Sequence, residues 1–278
     1  VLLSDGAGEV EAVGEGVSRF QVGDKVAGTF FKDLIEGPAN PMVNPALGHS
    51  ADGVLAQYMV LNENDAVKIP ANLNYQEAAC LPCAALTAWH AMMTAGRPVT
   101  KGDTVLLLGT GGVSTIALQF AKALEAKVII TSSSNDKLAK AKEMGADLLI
   151  NYNEHPDWDD EVKKINDGQG VDCIVEVGGI GTINKSMNCL GLGGKIGMIG
   201  VLAGADGECN PRSLMMTGSS IHGIFVGNRQ MFEEMNKAIE EHDIHPVVDK
   251  AFDFDDAVEA IKYFKSQAHM GKVVINIS

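Results

Sequence analysis

The sequence predicts an α/β fold: a doubly wound parallel sheet joined to a smaller β-rich domain. Three observations predict it. The apolar run Val105-Leu106-Leu107-Leu108 leads directly into Gly109, Gly111 and Gly112. A helical pattern follows, with Val113, Ile116, Ala117, Phe120, Ala121 and Leu124 on one face. From Asp103 onward strand and helix patterns alternate, whereas the stretch before it carries mainly strand patterns.

A run that short, ending in glycines, suits a strand buried on both faces of a parallel sheet. Strand, tight glycine turn and helix make the phosphate-binding start of a dinucleotide fold. The glycines let backbone approach a pyrophosphate, and the helix N-terminus offers N–H donors and partial positive charge. Ser114 stands where a third glycine often does, and a small residue suffices there for close helix packing. Gly109, Thr110, Gly111, Gly112 and Val113 are therefore candidate cofactor contacts.

In chain order, Gly8–Val13 alternates like a strand, and Val22–Val26 reads as a tight turn entering another. Asp33–Pro45 holds Gly37, Pro38, Pro41 and Pro45 and reads as a loop. Val54–Leu61 and Ala66–Ile69 read as strands. Asn74–Cys80 and Leu86–Ala95 read as helices, with Pro82 between them. Parallel strands are expected at Val105–Leu108, Val128–Thr131, Leu148–Ile150, Cys173–Glu176, Lys195–Ile199 and Ser220–Phe225. The helices between them are Ser114–Leu124, Asn135–Met144, Asp159–Ile165 and Gly181–Leu190. Helices Arg229–Glu241 and Phe254–Lys265 and a last strand, Val273–Ile277, close the chain, with a charged stretch before the second of these helices.

At 278 residues the chain can bury a real core and holds two expected domains. The 22 basic and 36 acidic residues give a formal charge of −14, which excludes the basic stripe of a nucleic-acid surface and opposes binding to anionic lipid. No apolar stretch approaches the ~20 residues of a membrane span. The five cysteines, Cys80, Cys83, Cys173, Cys189 and Cys209, are odd in number in a large chain. That suggests reduced thiols and a cytoplasmic location. The chain opens on Val1, in what reads as mid-domain, so residues upstream are expected to be missing.

Specificity chemistry is concentrated after the second parallel strand. About 20 residues past the glycine turn an NAD enzyme places an acid on the ribose 2′-OH. Ser132 occupies that place, with Ser133 and Lys137 beside it. A carboxylate would repel a 2′-phosphate; serines can donate to it and Lys137 can supply charge. The same cluster has the composition of a turn that caps Asn135–Met144. Gly178 and Gly200 end two parallel strands, where ligands of such sheets bind, though turn chemistry also accounts for them. Cys80-Leu81-Pro82-Cys83 has the spacing of a metal or redox pair, but no second pair accompanies it, and buried cysteines commonly serve as small apolar residues. The seven histidines show no metal spacing.

Five stretches together resemble the medium-chain dehydrogenase/reductase superfamily: Gly6–Val10, Val22–Val26, Gly53–Tyr58, Gly109–Val113 and Gly271–Val274. They fall in that family's order and cover nearly the whole chain. Within it the chain looks most like the zinc-type alcohol dehydrogenase-like and quinone oxidoreductase-like subgroup. The resemblance implies a Rossmann-type NADP-binding domain over 85–227. It also implies a GroES-like β domain from 1–84 and 228–278, N-terminally incomplete by several tens of residues. It carries further roles. Thr87 would pack beside the nicotinamide, Lys272 would reach the pyrophosphate, and the strand holding Gly223 and Phe225 would hold the carboxamide. Read alone, these are a helix threonine, a solvated lysine and an edge strand. A zinc enzyme of the family has His-Glu before the Gly6 motif; this chain has Ser4-Asp5, and Cys83 alone falls at a ligand place. Zinc is therefore not expected.

The implied function is a zinc-independent, NADP(H)-dependent oxidoreductase. It would move hydride between nicotinamide and a small carbonyl, activated alkene or quinone. A zinc alcohol dehydrogenase and a cofactor-binding protein without turnover are the alternatives. A methyltransferase would want an acid where Ser132 stands. A short-chain dehydrogenase needs Tyr-x-x-x-Lys, and none of Tyr58, Tyr75, Tyr152 or Tyr263 has that lysine. No catalytic residue is assigned; Tyr58 and His49 offer protons without a pattern that selects them. The family also implies a homodimer across the strand Ser220–Phe225, whose apolar Ile221, Ile224 and Phe225 make a poor edge for water. Cover by the chain's own segment Ala203–Ser213 is the other possibility.

Overall fold

The computed structural model describes residues 1–200 and 206–277. The start of the segment Ala203–Ser213 lies outside the described residues. The strands are β1 Ala7–Glu9, β2 Lys25–Gly28, β3 Ala66–Lys68, β4 Thr104–Leu108, β5 Lys127–Ser132, β6 Leu148–Asn151, β7 Val171–Glu176, β8 Leu190–Met198, β9 Ser220–Gly223, β10 Val248–Asp253 and β11 Lys272–Asn276. The helices are α1 Tyr75–Ala78, α2 Leu86–Trp89, α3 Gly112–Ala123, α4 Asn135–Glu143, α5 Trp158–Ile165, α6 Ile183–Cys189, α7 Arg212–Thr217, α8 Arg229–Glu241 and α9 Ala257–Lys265. The chain divides into two compact units, Val1–Leu86 with Val226–Ser278, and Thr87–Phe225.

In the unit Thr87–Phe225 the apolar runs pair into one six-stranded sheet of order β6-β5-β4-β7-β8-β9. Every pairing in it is parallel. The strand order reverses between β4 and β7, the arrangement in which such sheets bind ligands at the strands' carboxyl ends. Leu106, Ile129, Ile174 and Ile196 are wholly buried. Each contributes about 1.5–3 kcal/mol by leaving water. The helices obey their end rules. Ser134 caps α4 by accepting from the Lys137 N–H. In α5, Asp159, Asp160 and Glu161 fill the first turn and Lys163 and Lys164 the last, as the helix dipole favours. A lysine is buried among the apolar strands. Lys195 of β8 donates to the carbonyls of Met92, 2.9 Å away, and Ala95, 2.6 Å away. These carbonyls end the helical stretch that runs from Leu81 through α2 to Thr94.

The other unit holds a three-stranded antiparallel sheet, β1-β2-β3, and a parallel pair, β10-β11. Its two chain segments are sewn together by side chains. Asn236 donates to the Lys68 carbonyl at 2.9 Å, Arg229 to Asn64 Oδ1 at 2.7 Å, and Glu240 accepts from the Ala71 N–H at 2.7 Å.

The differences from the sequence reading lie mostly in this unit. No strand forms over Val54–Leu61. The Val54 and Leu55 N–H groups donate to the Leu3 and Leu2 carbonyls. Among the described residues the alternating stretch beyond them forms no strand ladder, and Tyr58 and Val60 stand 75% and 97% exposed. Alternation selects a face, but a strand also needs a ladder partner. Conversely, β10 hides within the charged stretch. Asp249, Lys250 and Asp253 mask its alternation, and it exists because β11 runs beside it. Pro82 lies in the first turn of the helical stretch that begins at Leu81, where its missing N–H costs nothing.

Candidate active site

The glycine turn sits between β4 and α3. Gly109 has φ +71°, the left-handed region that disfavours side chains, and its N–H donates to Thr131 Oγ1 at 3.3 Å. Gly111 differs: its φ is −79°, and a Cβ there would meet nothing within 4 Å. Neither backbone strain nor packing demands a glycine at that position. An open cradle that a Cβ would fill is what a ligand approaching the backbone requires. α3 starts at Gly112 without a side-chain cap, so its first N–H groups remain available to an anion. Thr110 is buried, and Val113 lies in the first turn of α3. Ser114 donates to the Leu108 carbonyl at 2.7 Å, which ties the helix to its strand and explains the small residue.

β5 ends at Ser132, which is buried, with Ser133 exposed after it. Capping of α4 falls on Ser134, leaving the other two serines for other work. Ser132 Oγ accepts from the Ser134 N–H only at 3.4 Å. Lys137 lies half-buried in the first turn of α4. Gly178 and Gly200 follow β7 and β8, and Gly223 ends β9. Because the strands are parallel, the glycine turn, Ser132, Ser133, Gly178, Gly200, Gly223 and Phe225 all stand at or beyond one edge of the sheet, the carboxyl edge. Thr87 is buried in α2, and Phe225 is about half exposed.

Lys272 belongs to the other unit, at the start of β11. Its Nζ is 3.0 Å from Asp5 Oδ2, while Ser4 donates to Asp5 Oδ1 at 2.6 Å. Burial works against the ammonium, but Asp5, with Cys83 and Cys80 nearby, holds its pKa above the ordinary lysine value. Ser4, Asp5 and Lys272 line an open cavity of about 1470 Å³ within this unit, and so does Tyr58. His49 is exposed and is not part of that wall. Burial pushes the Cys80 thiol up to about 12, the behaviour of an inert core cysteine.

The donors present do not fit a zinc ion. Ser4 stands where an imidazole would be needed, and both Asp5 oxygens are engaged. An ammonium already occupies the position facing that carboxylate, so a second cation there would be repelled. Among the described residues no group of three His, Cys, Asp or Glu side chains has metal-binding geometry.

Two residues at the sheet's edge or core escaped the sequence reading, Glu176 and Lys195. The signal for each was a charge next to buried apolar residues of its strand: Glu176 after Cys173-Ile174-Val175, and Lys195 before Ile196.

Residues 1–71 match the model of the alcohol dehydrogenase GroES-like domain, and residues 112–241 that of the zinc-binding dehydrogenases. A zinc-type alcohol dehydrogenase-like protein of Schizosaccharomyces pombe is 46% identical over 99% of this chain and 81% of its own. The 2-methylene-furan-3-one reductase of Solanum lycopersicum is 30% identical over 98% of this chain and 62% of its own. The crystal structure of an NAD-dependent alcohol dehydrogenase superposes with a TM-score of 0.88 and 32% identity, covering 100% of this chain and 83% of that one.

Proposed function

The chain belongs to the medium-chain dehydrogenase/reductase superfamily of NAD(P)-dependent oxidoreductases, and on that premise we propose that it uses NADP(H), without zinc, on a small carbonyl, activated alkene or quinone. The observation that carries the cofactor is the glycine cradle. Gly111 leaves open space that its own fold does not require, directly before an uncapped helix N-terminus. The pyrophosphate would lie there, against Gly109–Val113. The 2′-phosphate would meet Ser132, Ser133 and Lys137, where no carboxylate closes β5. Gly178, Gly200, Gly223 and Phe225 would flank the nicotinamide half, and Thr87 would pack against the ring. When bound, the nicotinamide supplies the hydride chemistry; the chain orients it and excludes water. The named activity of the tomato relative, a reductase, favours keeping activated alkenes in the substrate class.

The test is a panel of carbonyls, activated alkenes and quinones, with NADPH absorbance followed. Tight NADPH binding with no oxidation across the panel would favour a binding protein without turnover. The same preparation tests the metal. We expect no stoichiometric zinc by elemental analysis and unchanged NADPH binding in chelator; one tightly held zinc per chain, lost with Cys83→Ala, would overturn this part of the reading.

We also propose a homodimer through β9. Among the described residues this strand is hydrogen-bonded to β8 on one side and ends the sheet. Pairing with the same strand of a second subunit would be isologous and would close at two. Light scattering at micromolar concentration is expected to report a dimer, and Ile221→Pro to shift it towards monomer by removing a donor and obstructing the ladder. A monomeric unmutated protein would refute the interface.

A further inference from the structure

Glu176 closes β7 with a carboxylate that is wholly buried. Such a group is costly unless its lone pairs are filled. Here Oε1 accepts from the Gly178 N–H at 2.8 Å, the Gly179 N–H at 3.0 Å and the Thr182 hydroxyl at 2.6 Å. Oε2 accepts from the Ser186 hydroxyl of α6. The main-chain carbonyl of the same residue accepts from the Ile199 N–H at 2.9 Å and the Gly200 N–H at 3.0 Å. One residue therefore fastens both the loop after β7 and the loop after β8.

The two loops fit each other closely. A Cβ on Gly178 would stand 2.9 Å from Thr182 Cγ2, and one on Gly200 would run into the Val177 backbone. Gly179 holds φ +90°. Glycine at 178 and 200 is thus demanded by the loops themselves, which makes their shape a fixed feature and not a yielding one. In a doubly wound sheet, β4-β5-β6 and β7-β8-β9 form two mononucleotide-binding halves. The loops held by Glu176 belong to the half that does not carry the glycine turn.

We propose that Glu176 is a positioning residue for the nicotinamide half of the cofactor. Its carboxylate and its carbonyl hold the loops 177–182 and 199–200 in the one arrangement that receives that half. The residue touches no ligand; it acts through Gly178, Gly179 and Gly200. This inference rests on the cofactor reading given above.

The experiment compares two probes on the full chain: NADPH, and 2′,5′-ADP, which lacks the nicotinamide half. Glu176→Ala takes their acceptor from two N–H groups and two hydroxyls. It is expected to weaken NADPH binding about tenfold or more while leaving 2′,5′-ADP within about twofold. Glu176→Gln keeps an acceptor oxygen for those N–H groups and is expected to recover most of the NADPH affinity. If Glu176→Ala does not fold, Gly178→Ala displaces the same loop and should show the same split. Equal weakening of both probes, or no weakening of either in a folded variant, would overturn the positioning role. Failure of the unmutated chain to bind NADPH at all would instead overturn the cofactor reading, and this inference with it.

Discussion

Ser132→Asp is expected to weaken NADPH binding roughly a hundredfold and to leave NADH binding equal or better. Ser132 ends β5, where it lies 3% exposed and in register with Asn151 of β6. A carboxylate at that position accepts from a ribose 2′-OH, which favours NADH. Against a 2′-phosphate it sets like charge on like charge. Two unit charges 4 Å apart cost about 1 kcal/mol in water and about 4 kcal/mol at the dielectric of a protein surface, so a hundredfold lies between these limits. The helix start should survive the change, because the cap of α4 is Ser134. Fluorescence titration of both coenzymes with both proteins measures the effect. Equal dissociation constants in the unmutated protein would show that these serines are turn residues and nothing more.

Lys195→Met should lower stability by about 2 kcal/mol, which is roughly 4–8 °C in melting temperature. Two effects oppose each other. Methionine relieves the burial of a charge, and that alone would stabilise. It also removes both donors from the Met92 and Ala95 carbonyls. These are helix-end acceptors beside a strand core. The Met92 carbonyl keeps the Val99 N–H at 2.9 Å, while the Ala95 carbonyl loses its lysine donor, and an orphaned buried group costs about 1–3 kcal/mol. The second effect is the larger. Alkaline titration separates them. Burial lowers the Lys195 pKa, with Cys173 acting in the opposite sense. Between the lowered native value and the unfolded value near 10.5, the unfolded chain therefore binds the extra proton, and the Lys195 contribution makes stability rise with pH there. The methionine variant should lack that increment. A variant as stable as the parent at neutral pH would mean that packing alone holds the end of the helix.

The parallel sheet was legible because its strands are buried on both faces. Runs such as Val105–Leu108 and Cys173–Glu176 need no partner pattern to be recognised, and a glycine, Gly109 or Gly178, follows each within two residues. The glycine turn was legible for the same reason as the strand it follows. What failed depends on partners. Val54–Leu61 alternates as a strand should, yet has no ladder, while β10 has a ladder and hardly alternates. Of the candidate site, the residues whose backbone carries the chemistry were readable from type and place. Glu176 and Lys195 were not: the carbonyls that Lys195 meets are 103 and 100 residues away, and the donors that Glu176 meets are neighbours brought to it only by the path of the folded loop. A single charged letter at the end of an apolar run does not reveal whether it faces water or four donors.

The division of the chain has a temporal consequence. The unit Thr87–Phe225 is one continuous stretch and has all its strands once Phe225 has left the ribosome. The unit around it is split, and its first segment relies on Arg229, Asn236 and Glu240 for contacts described above. Synthesis proceeds from the N-terminus, and domains generally fold as units. The sheet of the continuous unit can therefore assemble while the earlier-made β1, β2 and β3 still lack α8. These three strands are made before the continuous unit and reach their native surroundings after it.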